Sequence, residues 1–231
     1  FHYDPFKDFL NQEIHKFFKK AVNLHTGLVK PEVHFSSIKD FAVRKSSCYD
    51  NCLAAMLAKD LKSMRLDNPF DKFSYPELIK RHFWNGEYFN DDLSSDKYVA
   101  GDANLFPFAL GIVTDKEMIE SALNKVHQAG LDEPFPLKYT AGRQQVNFIW
   151  QEFFLRNYES NAVWMHMGPL YVKLLQQVDK ERAKTYKEKY RQLIEQHKNF
   201  LEVFDDKGKP FNTPFYHCDS GMLWAANYLT L

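Results

Sequence analysis

The 231-residue chain lacks the features that mark several classes of protein. Its 30 basic and 30 acidic residues cancel, so no chain-wide positive field attracts nucleic acid or an anionic membrane surface. No apolar run approaches the roughly 20 residues that span a bilayer, and no cleavable secretion signal is found at the start. We therefore predict no nucleic-acid partner and no membrane association.

Cysteine is scarce, and the motifs of metal and nucleotide sites are missing. Cys48 and Cys52 lie four residues apart on a predicted helix, an unusual place for a disulfide, and Cys218 is the third cysteine. These three residues predict a reduced, cytoplasmic protein. The chain has no HExxH pair, no paired Cys/His spacing and no GxxxxGK or GxGxxG segment. We therefore predict neither a metal site nor a cofactor.

Glycine is also scarce, whereas aromatic residues are abundant. The chain has 9 Gly beside 21 Phe, 12 Tyr and 4 Trp, and this glycine content is about half of average usage. Helical periodicity of apolar residues predicts about eight helices. They cover residues 6–21, 49–64, 75–83, 114–126, 146–154, 167–178, 186–204 and 222–231. Trp150 and Phe153 fall on this period and are predicted to lie in the core.

The connections between these helices alternate between short and long. The long ones, at 30–49, 84–111, 132–139 and 202–219, mix aromatic and acidic residues. Loops of this length in a compact domain are usually functional or disordered, and these do not have a disordered composition. No linker divides the chain, so we predict one all-α domain over residues 1–231. Helix pairs whose long loops gather at one end describe an (α/α) barrel, or toroid of helical hairpins, with a sugar-sized pocket.

The sharpest motif is FLEVFDDKGKPFNTPFYHCDSGMLWAANYL near the C-terminus, in which Glu202 ends a predicted helix. Gly208, Pro210 and Trp224 frame this position. The motif resembles the C-terminal part of (α/α)6-barrel, or six-hairpin, glycosidases of the glucoamylase, trehalase and processing-glucosidase type. The segments FWNGEYFNDDL, ANLFPFALGIVTDKEM and NAVWMHMGPLYVKLL follow the order of that group. The resemblance implies that Glu202 is the general base that activates water.

An inverting glycosidase also needs a protonated carboxyl on the other side of the scissile bond. The resemblance points to Asp40 in SSIKDFAVRKSSCYDN, because related enzymes place their acid in a loop before a helix, with an arginine downstream. Here Asp40 lies four residues before Arg44, whereas the glucoamylases have a Glu closer to its Arg. Glu32 and Asp50 remain alternatives for the acid.

Sugar binding requires aromatic faces for the apolar side of a pyranose and charged groups for its hydroxyls. The candidate binding residues, all in the predicted loops or beside them, are Arg44, Trp84, Asp102, Tyr139, Trp164, His166 and Tyr216.

The resemblance implies an inverting glycoside hydrolase that acts on the α-glycosidic bond of an oligosaccharide or small glycoside. A full barrel has twelve helices and this chain has about eight. We therefore expect an incomplete barrel that lacks an N-terminal portion, or a reduced relative. An incomplete barrel would need a partner chain or a second copy to cover it. The alternative function is a noncatalytic carbohydrate-binding or scaffolding subunit that keeps the fold.

Overall fold

The computed structural model describes residues 4–33, 35, 38–94, 97–143 and 150–231. The chain is mostly helical, with about 45% of its residues in helices. The described part contains eight α-helices: α1 Lys7–Ala21, α2 Cys48–Met64, α3 Tyr75–Phe83, α4 Phe106–Ala109, α5 Lys116–Gln128, α6 Gly168–Leu175, α7 Lys180–His197 and α8 Ala225–Leu229. Within these described ranges, three 3₁₀ helices cover Asp4–Phe6, Trp150–Phe153 and Met222–Trp224.

Four two-residue strands form two antiparallel pairs. Strand β1, Val163–Trp164, pairs with β2, Val203–Phe204, so that Val163 is opposite Phe204. Strand β3, Asn212–Thr213, pairs with β4, Tyr216–His217. The mostly helical prediction is therefore confirmed, with these short strands confined to the connections.

Side-chain caps fix where the longer helices begin. The Ser47 hydroxyl accepts the Asp50 N–H at 3.0 Å before α2, and the Asp115 carboxylate accepts the Met118 N–H at 3.1 Å before α5. Asp179 accepts the Arg182 N–H at 3.0 Å before α7. Each cap satisfies one of the N–H groups that a first helical turn leaves unpaired. These are the residue types from which helix starts can be predicted.

The helices pack against one another around the core. Helix α2 packs against α3 and α4, α4 packs against α6, and α6 packs against α7 and α8. The largest fully buried side chains include Tyr139, Tyr171, Tyr190, Phe70, Phe83 and Phe89.

None of the described helices has the length and apolar character that crossing a bilayer requires. The three cysteines are free, in agreement with the prediction that Cys48 and Cys52 do not pair.

The predicted helices at 186–204 and 146–154 differ from the structure. Helix α7 ends at His197 because Lys198 adopts a left-handed conformation with φ of 53°, and Val203 and Phe204 are buried in strand β2 instead. The predicted helix at 146–154 lies partly outside the described residues, and its described end is a 3₁₀ helix. The core prediction for Trp150 and Phe153 is wrong, since they are 70% and 78% exposed.

Candidate functional site

A cavity of about 390 Å³ lies where helix starts and connecting loops meet. Tyr49 in the first turn of α2, Phe106 at the start of α4 and Leu170 in the first turn of α6 all line it. The other lining residues come from the connections and the last helices: Ile38, Asp40, Tyr139, Tyr158, Glu159, Trp164, His166, Glu202, Trp224 and Asn227. The lining is therefore aromatic with three carboxyl groups, Asp40, Glu159 and Glu202.

Glu202 is held at the cavity by strand-like contacts on both sides. Its N–H donates to Asp219 O at 3.0 Å, and its own carbonyl accepts the Met165 N–H at 3.0 Å. The Tyr216 hydroxyl donates to Glu202 Oε1. Burial raises the pKa of Glu202, and the negative charge of Asp219 adds to that rise. Glu202 is thus a half-buried carboxyl that lines the cavity and accepts a hydrogen bond from Tyr216.

Asp40 reaches the same cavity from the loop before α2 while its side chain remains exposed to solvent. Partial burial raises the pKa of Asp40. The two alternative acids are placed elsewhere: Asp50 is buried in the first turn of α2 and Glu32 is exposed, and neither lines the cavity. Of the three acids that the sequence offered as partners of Glu202, only Asp40 lines the same cavity as Glu202.

Glu159 is a cavity carboxyl that sequence reasoning missed. Only 2% of its surface is exposed, and it accepts the Phe41 N–H at 2.8 Å and the Ala42 N–H at 2.7 Å. Burial raises the pKa of Glu159 to about 7, although these two N–H groups favour its charged form. The available signal was its position just before the tryptophan segment at 161–175.

The Tyr158 hydroxyl lies in the electrostatic field of the three carboxyl groups. Burial raises the pKa of Tyr158, and the charges of Glu202, Asp40 and Glu159 raise it further, in that order. All three carboxyl groups therefore act on one hydroxyl. No three carboxyl, histidine or cysteine side chains in the described part of the chain lie close enough together to hold a metal ion.

His166 supplies a buried polar atom to the aromatic wall. Its Nε2 lies 3.3 Å from the Tyr139 hydroxyl, and its Nδ1 has no hydrogen-bond partner among the described residues. Its ring contacts those of Trp164 and Trp224, at centroid distances of 5.4 and 4.9 Å. Burial lowers the pKa of His166 to about 3, so the imidazole is neutral at ordinary pH. An unpartnered buried nitrogen in a cavity suits a ligand that carries hydroxyl groups.

Arg44 and Asp102, predicted to contact sugar, are placed elsewhere. Both are buried and outside the cavity lining, with Arg44 Nη1 at 2.9 Å from Asp102 Oδ2 and 3.4 Å from Asp91 Oδ1. Lys39 Nζ contacts the same two acids, at 3.1 Å from Asp102 Oδ1 and 3.2 Å from Asp91 Oδ1. Burial favours neutral Asp91, but Lys39 and Arg44 outweigh burial and lower the pKa of Asp91. Arg44 and Asp102 thus support the 39–45 loop from below the surface.

The remaining predicted binding residues fall into three groups. Tyr139, Trp164 and His166 line the cavity with Glu202. Trp84 caps α3 and packs against Phe89 at a centroid distance of 5.0 Å, outside the cavity lining. Tyr216 contacts the cavity through its hydrogen bond to Glu202.

No model of a known protein family matches the chain, and no curated protein matches it. The function of the cavity is therefore inferred from its own geometry and chemistry.

Proposed function

We propose that this protein is an inverting glycoside hydrolase that cleaves an α-glycosidic bond, on helical hairpins arranged as an (α/α) barrel. The observation that supports the proposal is that Asp40 and Glu202, which lie near opposite ends of the sequence, line the same aromatic cavity of about 390 Å³. Both have a raised pKa caused first by burial. A volume of this size lies within the range of small-molecule sites.

In the proposed reaction the two carboxyl groups act on opposite sides of the scissile bond. Ionised Glu202 takes a proton from a water molecule, whose oxygen forms the new bond to the anomeric carbon. Asp40 donates its proton to the glycosidic oxygen as the bond to that oxygen breaks. Attack from the face opposite the leaving group inverts the anomeric configuration. The hydrogen bond from Tyr216 favours the charged form of Glu202 that this step needs.

The cavity wall provides the groups that a pyranose requires. The rings of Trp164 and Trp224 offer apolar faces and edges for the C–H side of a sugar. The neutral imidazole of His166 offers its unpartnered Nδ1 to a sugar hydroxyl. The substrate that fits this chemistry is an uncharged α-linked oligosaccharide or small glycoside.

The experiment that tests the proposal compares hydrolysis of α-linked disaccharides and short glucans by the wild type, Glu202→Gln and Asp40→Asn. Loss of a general acid or base lowers kcat about 10²–10⁴-fold. The matched control is Glu32→Gln, because Glu32 is exposed and outside the cavity. Full activity of Glu202→Gln would overturn the proposed role of Glu202.

The second candidate function is a noncatalytic carbohydrate-binding or scaffolding subunit. It is favoured by the large apolar side chains that remain exposed, among them Trp150, Phe153, Phe215, Leu223 and Leu229. Such surface is often covered by a partner chain or a second copy. Binding of the same sugars without turnover by the wild type would favour this candidate, whereas hydrolysis that depends on Glu202 would exclude it.

A further inference from the structure

The loop that carries Asp40 is anchored on both sides of this residue. On one side the Lys39 ammonium lies 3.2 Å from Asp91 and 3.1 Å from Asp102, both buried. On the other side the N–H groups of Phe41 and Ala42 donate to the Glu159 carboxylate at 2.8 and 2.7 Å. Asp40 is the exposed residue between these anchors.

The anchor at Glu159 consists of hydrogen bonds to a carboxylate, which are stronger than hydrogen bonds between neutral groups. Phe41 N–H lies within hydrogen-bond distance of both carboxylate oxygens, at 2.8 and 2.9 Å. Bonds from N–H groups to an ionised acceptor are about twice as strong as neutral ones. Residues 38–47 lie outside the helices, so helical hydrogen bonds do not hold this backbone. The conformation of the loop therefore depends on a side chain contributed from residue 159.

We infer that Glu159 is a positioning residue for Asp40: by holding the two amides that follow Asp40, it fixes the direction in which the Asp40 carboxyl enters the cavity. The inference rests on the proposed role of Asp40 as the general acid. Glu159 is not assigned the role of general acid, because its two carboxyl oxygens already accept hydrogen bonds from the N–H groups of Phe41 and Ala42. The charged groups that face it are Lys39 and Asp40 from the loop.

The first test separates positioning of the acid from general damage by the choice of leaving group. A disaccharide leaves as an alcohol and needs the proton of the acid, whereas fluoride leaves from an α-glycosyl fluoride without one. In both reactions Glu202 still deprotonates the attacking water. Glu159→Gln removes an acceptor oxygen and keeps the shape of the side chain. We expect its loss of kcat to be at least about tenfold larger for the disaccharide than for the fluoride, in the same direction as Asp40→Asn.

Equal losses on both substrates, or an unchanged kcat for the disaccharide, would overturn the inference. Circular dichroism and thermal unfolding of Glu159→Gln check that the variant folds. Glu202→Gln is the reference for a loss on both substrates, because water must be activated in each reaction.

The second test does not depend on catalysis, and its first measurement is made on the wild type. The amide resonances of Phe41 and Ala42 in the wild type are followed by ¹⁵N NMR from pH 4 to pH 9. Protonation of Glu159 weakens its acceptor oxygens, so both amides are expected to shift together with a midpoint near its pKa of about 7. Glu32→Gln is expected to keep this titration and Glu159→Gln to lose it.

The two tests distinguish failure of the inference from failure of the proposed function. Phe41 and Ala42 amides that keep their resonances and their titration in Glu159→Gln would overturn the inference, whatever the activity. Titrating amides in a protein that hydrolyses neither substrate would overturn the hydrolase proposal and its use of Asp40, while the anchoring of the loop by Glu159 would be supported.

Discussion

Arg44 Nη1 lies 2.9 Å from Asp102 Oδ2, and both side chains are buried. The other oxygen of Asp102 contacts Lys39 Nζ, which also lies 5.2 Å from the centre of the Tyr139 ring. Tyr139 in turn lines the cavity. A balanced set of buried charges therefore connects the loop that carries Asp40 with the aromatic wall at Tyr139.

Replacing Asp102 with Asn is expected to destabilise the fold. The change leaves Lys39 and Arg44 facing Asp91 as their remaining buried acid, and breaking a buried ion pair by removing one partner costs about 3–5 kcal/mol. Urea unfolding measures the effect. The control is Asp67→Asn, at an exposed ion pair with His15, where a change below about 1 kcal/mol is expected. An equally small change at Asp102 would contradict the structural role given to the buried charges.

Replacing Tyr216 with Phe is expected to shift the pH profile of hydrolysis. The variant loses the hydrogen bond that favours ionised Glu202, so the pKa of Glu202 rises and the acid limb of kcat/KM moves to higher pH. A bond to a charged group supports a shift of about one pH unit. Tyr98→Phe is the matched control, since the Tyr98 hydroxyl donates to Asp91 outside the cavity. An unmoved acid limb in Tyr216→Phe would show that another group sets it.

Replacing His166 with Phe is expected to weaken sugar binding by the same factor at pH 5 and pH 8. The imidazole is neutral at both values, because burial lowers its pKa to about 3. Losing one hydrogen bond to a sugar hydroxyl weakens binding about fivefold to a hundredfold. Calorimetry on the Glu202→Gln background, which separates binding from turnover, measures the effect. A factor that differs tenfold between the two pH values would mean that His166 titrates in this range.

The buried carboxyl of Glu159 predicts a pH dependence of stability. Its pKa in the folded protein is about 7, above the value of 4.5 for an exposed glutamate. A raised pKa means that the folded state binds the proton more tightly. Its stabilising effect is therefore complete below about pH 4.5 and is lost as pH rises to about 7. At about 1.4 kcal/mol per pKa unit, the loss amounts to up to about 3 kcal/mol.

Urea unfolding at pH 4.5 and pH 7.5 checks this prediction as a difference between proteins. Asp91 has a lowered pKa and contributes with the opposite sign, so the wild type alone does not isolate Glu159. The free energy of unfolding of Glu159→Gln is expected to fall less between these pH values than that of the wild type. Parallel changes in both proteins would contradict the raised pKa.

The helices could be predicted where the sequence has both an apolar period and a capping residue. Helix α3 has the predicted bounds, and α2 and α5 begin beside the caps Ser47 and Asp115. Helix α4 has four residues, too few to show a period. The predicted end of α7 is too late, because Leu201 and Phe204 keep the apolar spacing although Phe204 pairs as a strand.

The sequence indicated the residue types of the candidate site, but not which of these residues are buried away from the cavity. Glu202, Tyr139, Trp164 and His166 line the cavity. Arg44 and Asp102 have residue types that bind sugars, yet the structure pairs them with each other below the surface. A buried charge needs an opposite charge beside it. The spacing of residues in the sequence does not reveal which of them are buried. The sequence signal for Glu159 is its position just before the tryptophan segment, whereas its role comes from N–H groups more than a hundred residues earlier in the chain, which spacing does not reveal.

The measurement that tests the central claim most directly is the anomeric configuration of the first product, followed by NMR as the wild type hydrolyses an α-linked disaccharide. The account predicts that the β-sugar appears first, and that neither Glu202→Gln nor Asp40→Asn releases it at a comparable rate. Release of the α-sugar first, or wild-type rates in Glu202→Gln, would contradict single displacement by these two carboxyl groups.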